Sequence, residues 1–456
     1  MRKSYNDSGL TAKRSYRLLT AGLTAILMAV SLALQAQDFA RLGERTIMGT
    51  ARYVGMSGAM TAIGGDPSAV HDNPAGLGLY RRAEVTLSFD EAIDKTWQRG
   101  LMAETKSTRY TPMVPQVAIV LSIPYKKDDE GVLFNNFLLS YRRLHSYGRT
   151  MYGVGQNGYS LGALLETLDV PWDIKFCTNT PFALNDLLLK ESGSINEFAF
   201  DWSVNLSNRW FIGAGLQVQS YTLSADASYI ESFANSSAYN KNVTTLIYSG
   251  VSSSLSLGLI YRPTGWLRLG ASIQSNSLGT FHIYSSGTLS SQTDSLRFSY
   301  APEATAHQNN IAVQPLHFSS SVAFQIGAYG MVALQYDLYH QPKETPVHSL
   351  RAGLEIIPVL GLYLNAGYAC ESTFKNSNKV VSVDPTFDRQ DTYFQKPNIT
   401  HYASFAIGYR GTHILAQAAY QYRWQRFDLY AHEYVAPYDF CADTHRLVFT
   451  IGWHRY

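Results

Sequence analysis

Charge is scarce in this chain. Asp, Glu, Lys and Arg make up 16% of its 456 residues, against roughly 25% in an average soluble protein. A water-facing surface of this size would carry more. Cysteine is scarce too: Cys177, Cys370 and Cys441 have a spacing that fits no metal site. In an exported chain Cys370 and Cys441 are the candidate pair, and unpaired thiols are an equal alternative. After residue 36 no apolar run approaches the roughly 20 residues of a membrane-spanning helix. There is no nucleophile motif, phosphate loop, dinucleotide fingerprint or His-rich metal spacing. The adjacent His71 and Asp72 sit in a polar turn, and two neighbours do not make a metal or catalytic site. No enzyme activity and no cofactor are expected.

What the chain does have is an export-like start. Arg2, Lys3, Lys13, Arg14 and Arg17 precede an apolar run over Leu18–Leu34. Small residues follow, and cleavage after Ala36 is predicted. The leader carries five basic residues and one acidic one, so its loss takes the net charge from +2 to −2. The basic balance therefore belongs to the leader, and no nucleic-acid partner is implied.

From about residue 83 the governing signal is period-two alternation. In VSSSLSLGLIY, Leu255, Leu257, Leu259 and Tyr261 share one face, while Ser254, Ser256 and Gly258 share the other. Phe198, Phe200, Trp202 and Val204 oppose Glu197, Asp201, Ser203 and Asn205. The same reading places Arg268, Asp337, Arg351, Glu355 and Arg423 on the wettable face, as candidate lumen charges. Strands are predicted near 83–90, 114–125, 131–147, 194–206, 210–226, 245–262, 265–275, 315–327, 330–340, 347–358, 361–373, 401–410, 412–425 and 444–456. Short turns (YKKDDEG, SNR, RPTG, GAYG, PVLG, RGTH) alternate with long connections over 91–113, 148–193, 227–244, 276–314, 374–400 and 426–443, and 341–346 alone breaks the rule. Aromatic residues are 13% of the chain, and Tyr261 and Trp266 flank a turn as girdle residues do.

A chain with greasy strand faces and no spanning helix can cross a membrane only as a closed barrel, because lipid satisfies no backbone polar group. The fold class is all-β: a transmembrane antiparallel β-barrel of about 14 strands. Residues 1–36 are the signal, 37–82 an N-terminal hatch, and 83–456 the barrel. About eight strands is the widest ring that wall side chains fill unaided, so 37–82 is the natural plug. Its knot, GGDPSAVHDNPAGL, is rich in turn formers and is read as having almost no helix or strand character.

Two leucine patterns in 149–193 have helical spacing. Leu161, Leu164, Leu165 and Leu168 form one; Leu184, Leu187 and Leu188 form the other. Both read as short amphipathic helices in an external loop, either capping the mouth or catching a hydrophobic ligand. No apolar pocket is legible on the lumen face. The last strand, HRLVFTIGWHRY, places Tyr456 out of phase with Trp453, which implies a bulge or a one-residue slip.

The stretch MGTARYVGMSGAMTAIGGDPSAVHDNPAGL resembles the N-terminal hatch of the FadL/TodX-type long-chain fatty-acid channels of the outer membrane. Its hatch motif falls on Asn73, Pro74 and Ala75, with Gly64 and Gly65 before it. The resemblance implies a fourteen-stranded barrel in outer-membrane lipid and a hydrophobic small-molecule ligand. A monomer is expected, and uptake is expected to be passive because no energy source is implied. The terminal aromatic strand resembles the signal read by barrel-assembly machinery. Other proteins of similar appearance are haem receptors or cargo-binding barrels of type IX secretion, and those readings stay open.

Overall fold

The computed structural model describes residues 43–99, 105–125, 131–155, 182–233, 239–292, 297–300, 305–312, 315–340, 346–372, 394–430 and 437–455. The predicted leader, Cys177, Tyr456 and the leucines from Leu161 to Leu168 lie outside them. Fourteen wall strands form one antiparallel ring. They are β1 (Ala83–Arg99), β2 (Lys106–Pro124), β3 (Val132–Tyr147, resumed over Thr150–Gly155) and β4 (Phe182–Leu206). Next come β5 (Trp210–Phe233), β6 (Tyr239–Tyr261) and β7 (Leu267–Gln274, resumed over Leu278–Gln292). Strand β8 is made of Arg297–Tyr300, Thr305–Ala312 and Leu316–Ile326, followed by β9 (Gly330–His340) and β10 (Val347–Val359). The last four are β11 (Leu362–Glu371), β12 (Phe394–Arg410), β13 (Ile414–Tyr430) and β14 (Tyr438–Arg455). The ring closes where β1 pairs with β14, from Ala83 opposite Arg455 to Arg99 opposite Asp439. Closure leaves no free edge.

The registers fix the barrel's geometry. A path of paired residues runs from Asp94 through Thr444, Arg423, Tyr402, Ala369, Arg351, Gln335 and Ser321. It continues through Gly270, Ile260, Phe211, Asn205 and Phe134 to Pro124. The β1–β2 pairing of Glu84 with Val120 then returns it to β1 fourteen residues below its start. A stagger of one residue per strand tilts the strands by about 35–45°.

The alternation predicts which way side chains point, and they point that way. Leu257 is 61% exposed, and Leu216, Leu269, Leu334 and Ile356 also face out. Gln217, Gln219, Ser254, Ser256 and Asp337 are buried inside. At the lower rim, where the short turns lie, Trp210 stacks on Tyr261 at 4.0 Å and Trp266 on Phe324 at 6.1 Å. Aromatic rings of this kind mark where a barrel leaves lipid.

Four expectations are corrected. The strands overshoot the greasy band, so the connections expected over 91–113, 227–244, 276–314 and 426–443 shrink to 100–105, 234–238, 293–296 and 431–437. Leu184, Leu187 and Leu188 lie on β4 and not on a helix; strand pairing with β5 overrides their local helical spacing. The final strand keeps one register against β1 through Arg455 and against β13 through Trp453, with no bulge among the described residues. Cys370 and Cys441 are free thiols, on β11 and β14 with two strands between them.

Candidate functional site: the barrel interior

Residues 43–82 run inside this ring. Helix α1 spans Ala51–Gly55. The knot that follows is helical in part, against expectation: α2 spans Pro67–Asp72, and a 3-10 turn covers Pro74–Leu79. Asp66 caps α2 through the amide of Ser68. Asn73 is extended (φ −145°) and its side chain accepts from the amide of Ala75, capping the next turn. The residue before a proline is driven out of the helical region, so the Asn73–Pro74 step separates two helical turns. Gly64 (φ +60°) and Gly65 (φ +66°) take left-handed backbone. The amide of Gly65 donates to the Gly76 carbonyl at 3.0 Å, folding the two motifs together.

The segment bonds to the wall on every side. The amide of Ala51 donates to Thr450 on β14 at 2.8 Å. Ser57 meets Ser404 on β12 at 2.7 Å, and Thr61 meets Gln335 on β9 and Ser319 on β8, both at 3.0 Å. Ser272 on β7 donates to the Asp72 carbonyl at 2.6 Å, and Asn136 on β3 to those of Leu77 and Tyr80 at 2.8 and 2.9 Å. A segment held by opposite arcs of a closed ring occupies its interior.

Two dents in the wall receive it. Gly213 and Gly258 are cross-strand partners on β5 and β6. A Cβ on Gly213 would lie 2.3 Å from the Pro74 carbonyl carbon, and one on Gly258 would lie 1.9 Å from Asn73 Oδ1. Gly353 and Gly367 pair likewise on β10 and β11, and a Cβ on Gly367 would fall 2.4 Å from the Met56 carbonyl carbon. Backbone lies against backbone at both places, which only glycine permits.

A chain of charges crosses the lumen at the level of Asp72. His317 meets Asp337 at 3.2 Å, and Asp337 holds Arg351 at 3.1 Å. Arg351 reaches one oxygen of Asp72 at 3.6 Å, while Arg142 reaches the other at 3.4 Å. Arg142 continues to Glu197 at 3.6 Å, and Glu197 binds His71 at 2.8 Å and Gln219 at 2.7 Å. Arg142 stands on β3 and Arg351 on β10, seven places apart in a ring of fourteen. Asp72 therefore ties diametrically opposite walls together. Burial, then the neighbouring Arg142 charge, pushes the His71 imidazole below the ordinary histidine range. Its neutral ring gives Nδ1–H to Glu197 and accepts from Ser140 at Nε2, 3.0 Å away. A second buried clamp joins Arg52 to Glu355 through two bonds of 2.6 and 3.0 Å.

All five expected lumen charges face inward. Asp337 and Arg351 belong to the cross-chain, and Glu355 to the clamp. Arg268 donates to the Ile63 carbonyl at 3.2 Å. Arg423 lies over the Tyr402 ring at 5.9 Å.

Above the charges the interior turns apolar, a feature the sequence reading missed. Tyr221, Leu223, Ala225, Ala227 and Tyr229 line up on the inner face of β5. Around the lower part pack Leu144, Tyr147, Ile195, Leu246, Tyr248 and Phe281. Around the upper part pack Met151, Leu187, Leu189, Phe427, Leu429, Tyr438 and Phe440. Phe427 and Phe440 stack at 5.8 Å. Tyr438 and Tyr229 are fixed through Asn185, at 3.0 and 3.2 Å. Of the three described leucines expected to meet a ligand, Leu187 lines this column, while Leu184 and Leu188 point outward. The signal was present in SYTLSADASYIESF, where the apolar residues change phase after Val218.

The fold and interior define a fourteen-stranded transmembrane barrel with its N-terminal segment inside and an apolar column above it. No family model matches the sequence, and no curated protein is similar to it at a significant level. Solved structures are similar. A FadL homologue of Pseudomonas aeruginosa superposes with a TM-score of 0.57 at 14% identity, over 90% of this chain and 99% of that one. The Pseudomonas putida toluene transporter TodX gives 0.54 at 14%, over 90% and 98%. The Ralstonia pickettii toluene transporter TbuX gives 0.50 at 12%, over 90% and 99%. The chain has the fold of the FadL and TodX channels.

Proposed function

We propose that this protein is an outer-membrane channel for passive uptake of hydrophobic small molecules, with fatty acids one candidate class. The observation that carries the reading is the vertical order of the interior. An apolar column of buried, mutually packed side chains offers ligands matching chemistry, and beneath it a charged, tightly bonded layer stops them and water alike. A buried charge layer repels an apolar solute because its groups would lose their partners. Residues 37–82 act as the hatch, and the Asn73–Pro74–Ala75 turn with Gly64 and Gly65 sets its resting shape. The leader directs the chain to the outer membrane of a Gram-negative cell and is removed near Ala36. The solved structures of the same fold, which are described as hydrocarbon channels and toluene transporters, support this reading.

Mass spectrometry of molecules extracted from gently purified protein tests it directly. Retained apolar molecules, lost in Leu189→Asp with the heat-modifiable gel shift of the folded barrel intact, are the expected result. Co-purification of exported proteins with no small molecule would overturn it in favour of an assembly barrel.

A further inference from the structure

The outer face of the barrel carries a repeat that uptake does not use. On three successive hairpins a tyrosine hydroxyl meets a histidine Nδ1. Tyr336 and His348 are 2.7 Å apart, Tyr368 and His401 2.8 Å, and Tyr420 and His445 2.8 Å. The ring centroids lie 6.1, 6.2 and 6.2 Å apart, with planes inclined by 30°, 33° and 32°. Each tyrosine stands on the rising strand. Each histidine stands on the falling strand, two residues above the residue that faces that tyrosine.

The three pairs also share one height. The register line through Tyr336 passes Leu350 to Cys370, and Tyr368 lies two residues below it. The line through Tyr368 passes Ala403 to Tyr422, and Tyr420 lies two residues below that. A drop of one residue per strand cancels the barrel's stagger of one residue per strand, so the pairs form a level row. Successive pairs are about 10–12 Å apart, from two strand spacings and a two-residue offset. The row tops the greasy band: eight residues below His445 on β14 lies Trp453, with Leu447, Phe449 and Ile451 exposed between. At this strand tilt that is about 20–25 Å of apolar wall, the height of a lipid core facing a barrel.

In the tautomer where the phenol O–H donates to Nδ1, the neutral imidazole carries its own proton on Nε2, and the proposal takes this tautomer. Among the described residues no partner takes that second nitrogen. Each pair thus holds one N–H donor in a fixed orientation at the boundary where lipid gives way to water. We propose that this row binds the phosphate-bearing headgroups of membrane lipids, one acceptor oxygen per Nε2–H, with the tyrosine locking the ring's orientation. The row orients the barrel in depth and holds a short arc of phospholipid against β9 to β14. The third position is the weakest of the three, because Asp443 is close by, bonded to Tyr422 at 2.8 Å, and its charge opposes a phosphate.

The test uses the full chain in dodecyl maltoside with dioleoyl phosphatidic acid, read by native mass spectrometry. A monogalactosyl diacylglycerol serves as the phosphate-free lipid. The wild type is expected to retain phosphatidic acid over the galactolipid, and the triple variant H348F, H401F, H445F to weaken that retention about ten-fold or more. Tyr336→Phe, Tyr368→Phe and Tyr420→Phe together, which remove the hydrogen bond to each ring while His401 stays stacked on Trp424 and His445 beside Tyr422, should give a smaller loss in the same direction. Equal retention of the two lipids by the wild type would overturn the proposal, as would an unchanged preference in the histidine variant. A measurement without substitution stands beside these. Wild-type protein with isotope-labelled histidine, reconstituted with phosphatidic acid, should show dipolar coupling between Nε2 and lipid phosphorus; its absence would also overturn the proposal.

Discussion

Below Gln219, strand β5 turns Ile212, Leu216 and Val218 outward and Gly213, Gly215 and Gln217 inward. Above it, the same strand turns Tyr221, Leu223 and Ala225 inward and Thr222, Ser224 and Asp226 outward. The two halves follow one physical rule with the sides exchanged. In the lower half the outside is lipid and the inside is a polar segment with charges to satisfy. In the upper half the outside is water and the inside is apolar. Strands β4, β13 and β14 invert in the same way, with Phe198, Ala416 and Phe449 outside below and Leu187, Phe427 and Phe440 inside above. The alternation of a barrel strand thus reports which medium lies on each side, level by level.

The sharpest way to break the contrast is to remove the polar filling. Deleting residues 43–82 should convert a closed barrel into one with large stepwise conductance in planar bilayers; unchanged conductance would show that the charged layer does not seal it. A smaller effect is expected from Glu355→Ala. It strands the Arg52 charge, and losing one partner of a buried pair costs about 3–5 kcal/mol. Limited proteolysis should then cut the N-terminal segment while the wall stays resistant. The outer faces supply the third comparison. Leu257→Arg, facing lipid, should cost about 2–4 kcal/mol, whereas Ser224→Arg, facing water, should stay within about 0.5 kcal/mol. Urea titration of vesicle-folded protein measures both, and equal costs would refute the inversion. Gly213→Ala, pressing on Pro74, should cost about 1–3 kcal/mol by overpacking, seen in the same titration. The least effect belongs to pH. His71 is held neutral in the fold, so its stabilisation is complete above the unfolded value of about 6.5. It declines as pH falls toward the lowered folded value, since the unfolded ring takes the proton first. The thermal midpoint should therefore drop between pH 7 and 5 by less in His71→Gln than in the wild type.

The lower half was legible in the sequence, because lipid imposes a strict pattern. Runs such as Leu255, Leu257 and Leu259 against Ser254, Ser256 and Gly258 fix strand, face and count together. The upper half was not. Its outward Ser, Thr and Asp look like loop residues when lipid is assumed outside, and its inward Tyr229 and Phe440 look like scatter. Leu184, Leu187 and Leu188 read as helical for a similar reason: their spacing mixes both faces of a long strand. The wall dents at Gly213 and Gly258 were also invisible, since their meaning depends on residues some 140 and 185 positions upstream. The same holds for Asp72, whose two arginines come from strands far apart in the chain.

Strand β5 continues from Ser220 to Phe233 beyond the greasy band. At the tilt set by the stagger that is about 35 Å of wall, taller than the lipid-embedded part. No surrounding medium squeezes this tower into a cylinder, so its cross-section is set by what fills it. Under the proposed uptake, a solute that displaced Phe427 or Tyr438 would stand in for the side chains that prop this tower, as a temporary strut.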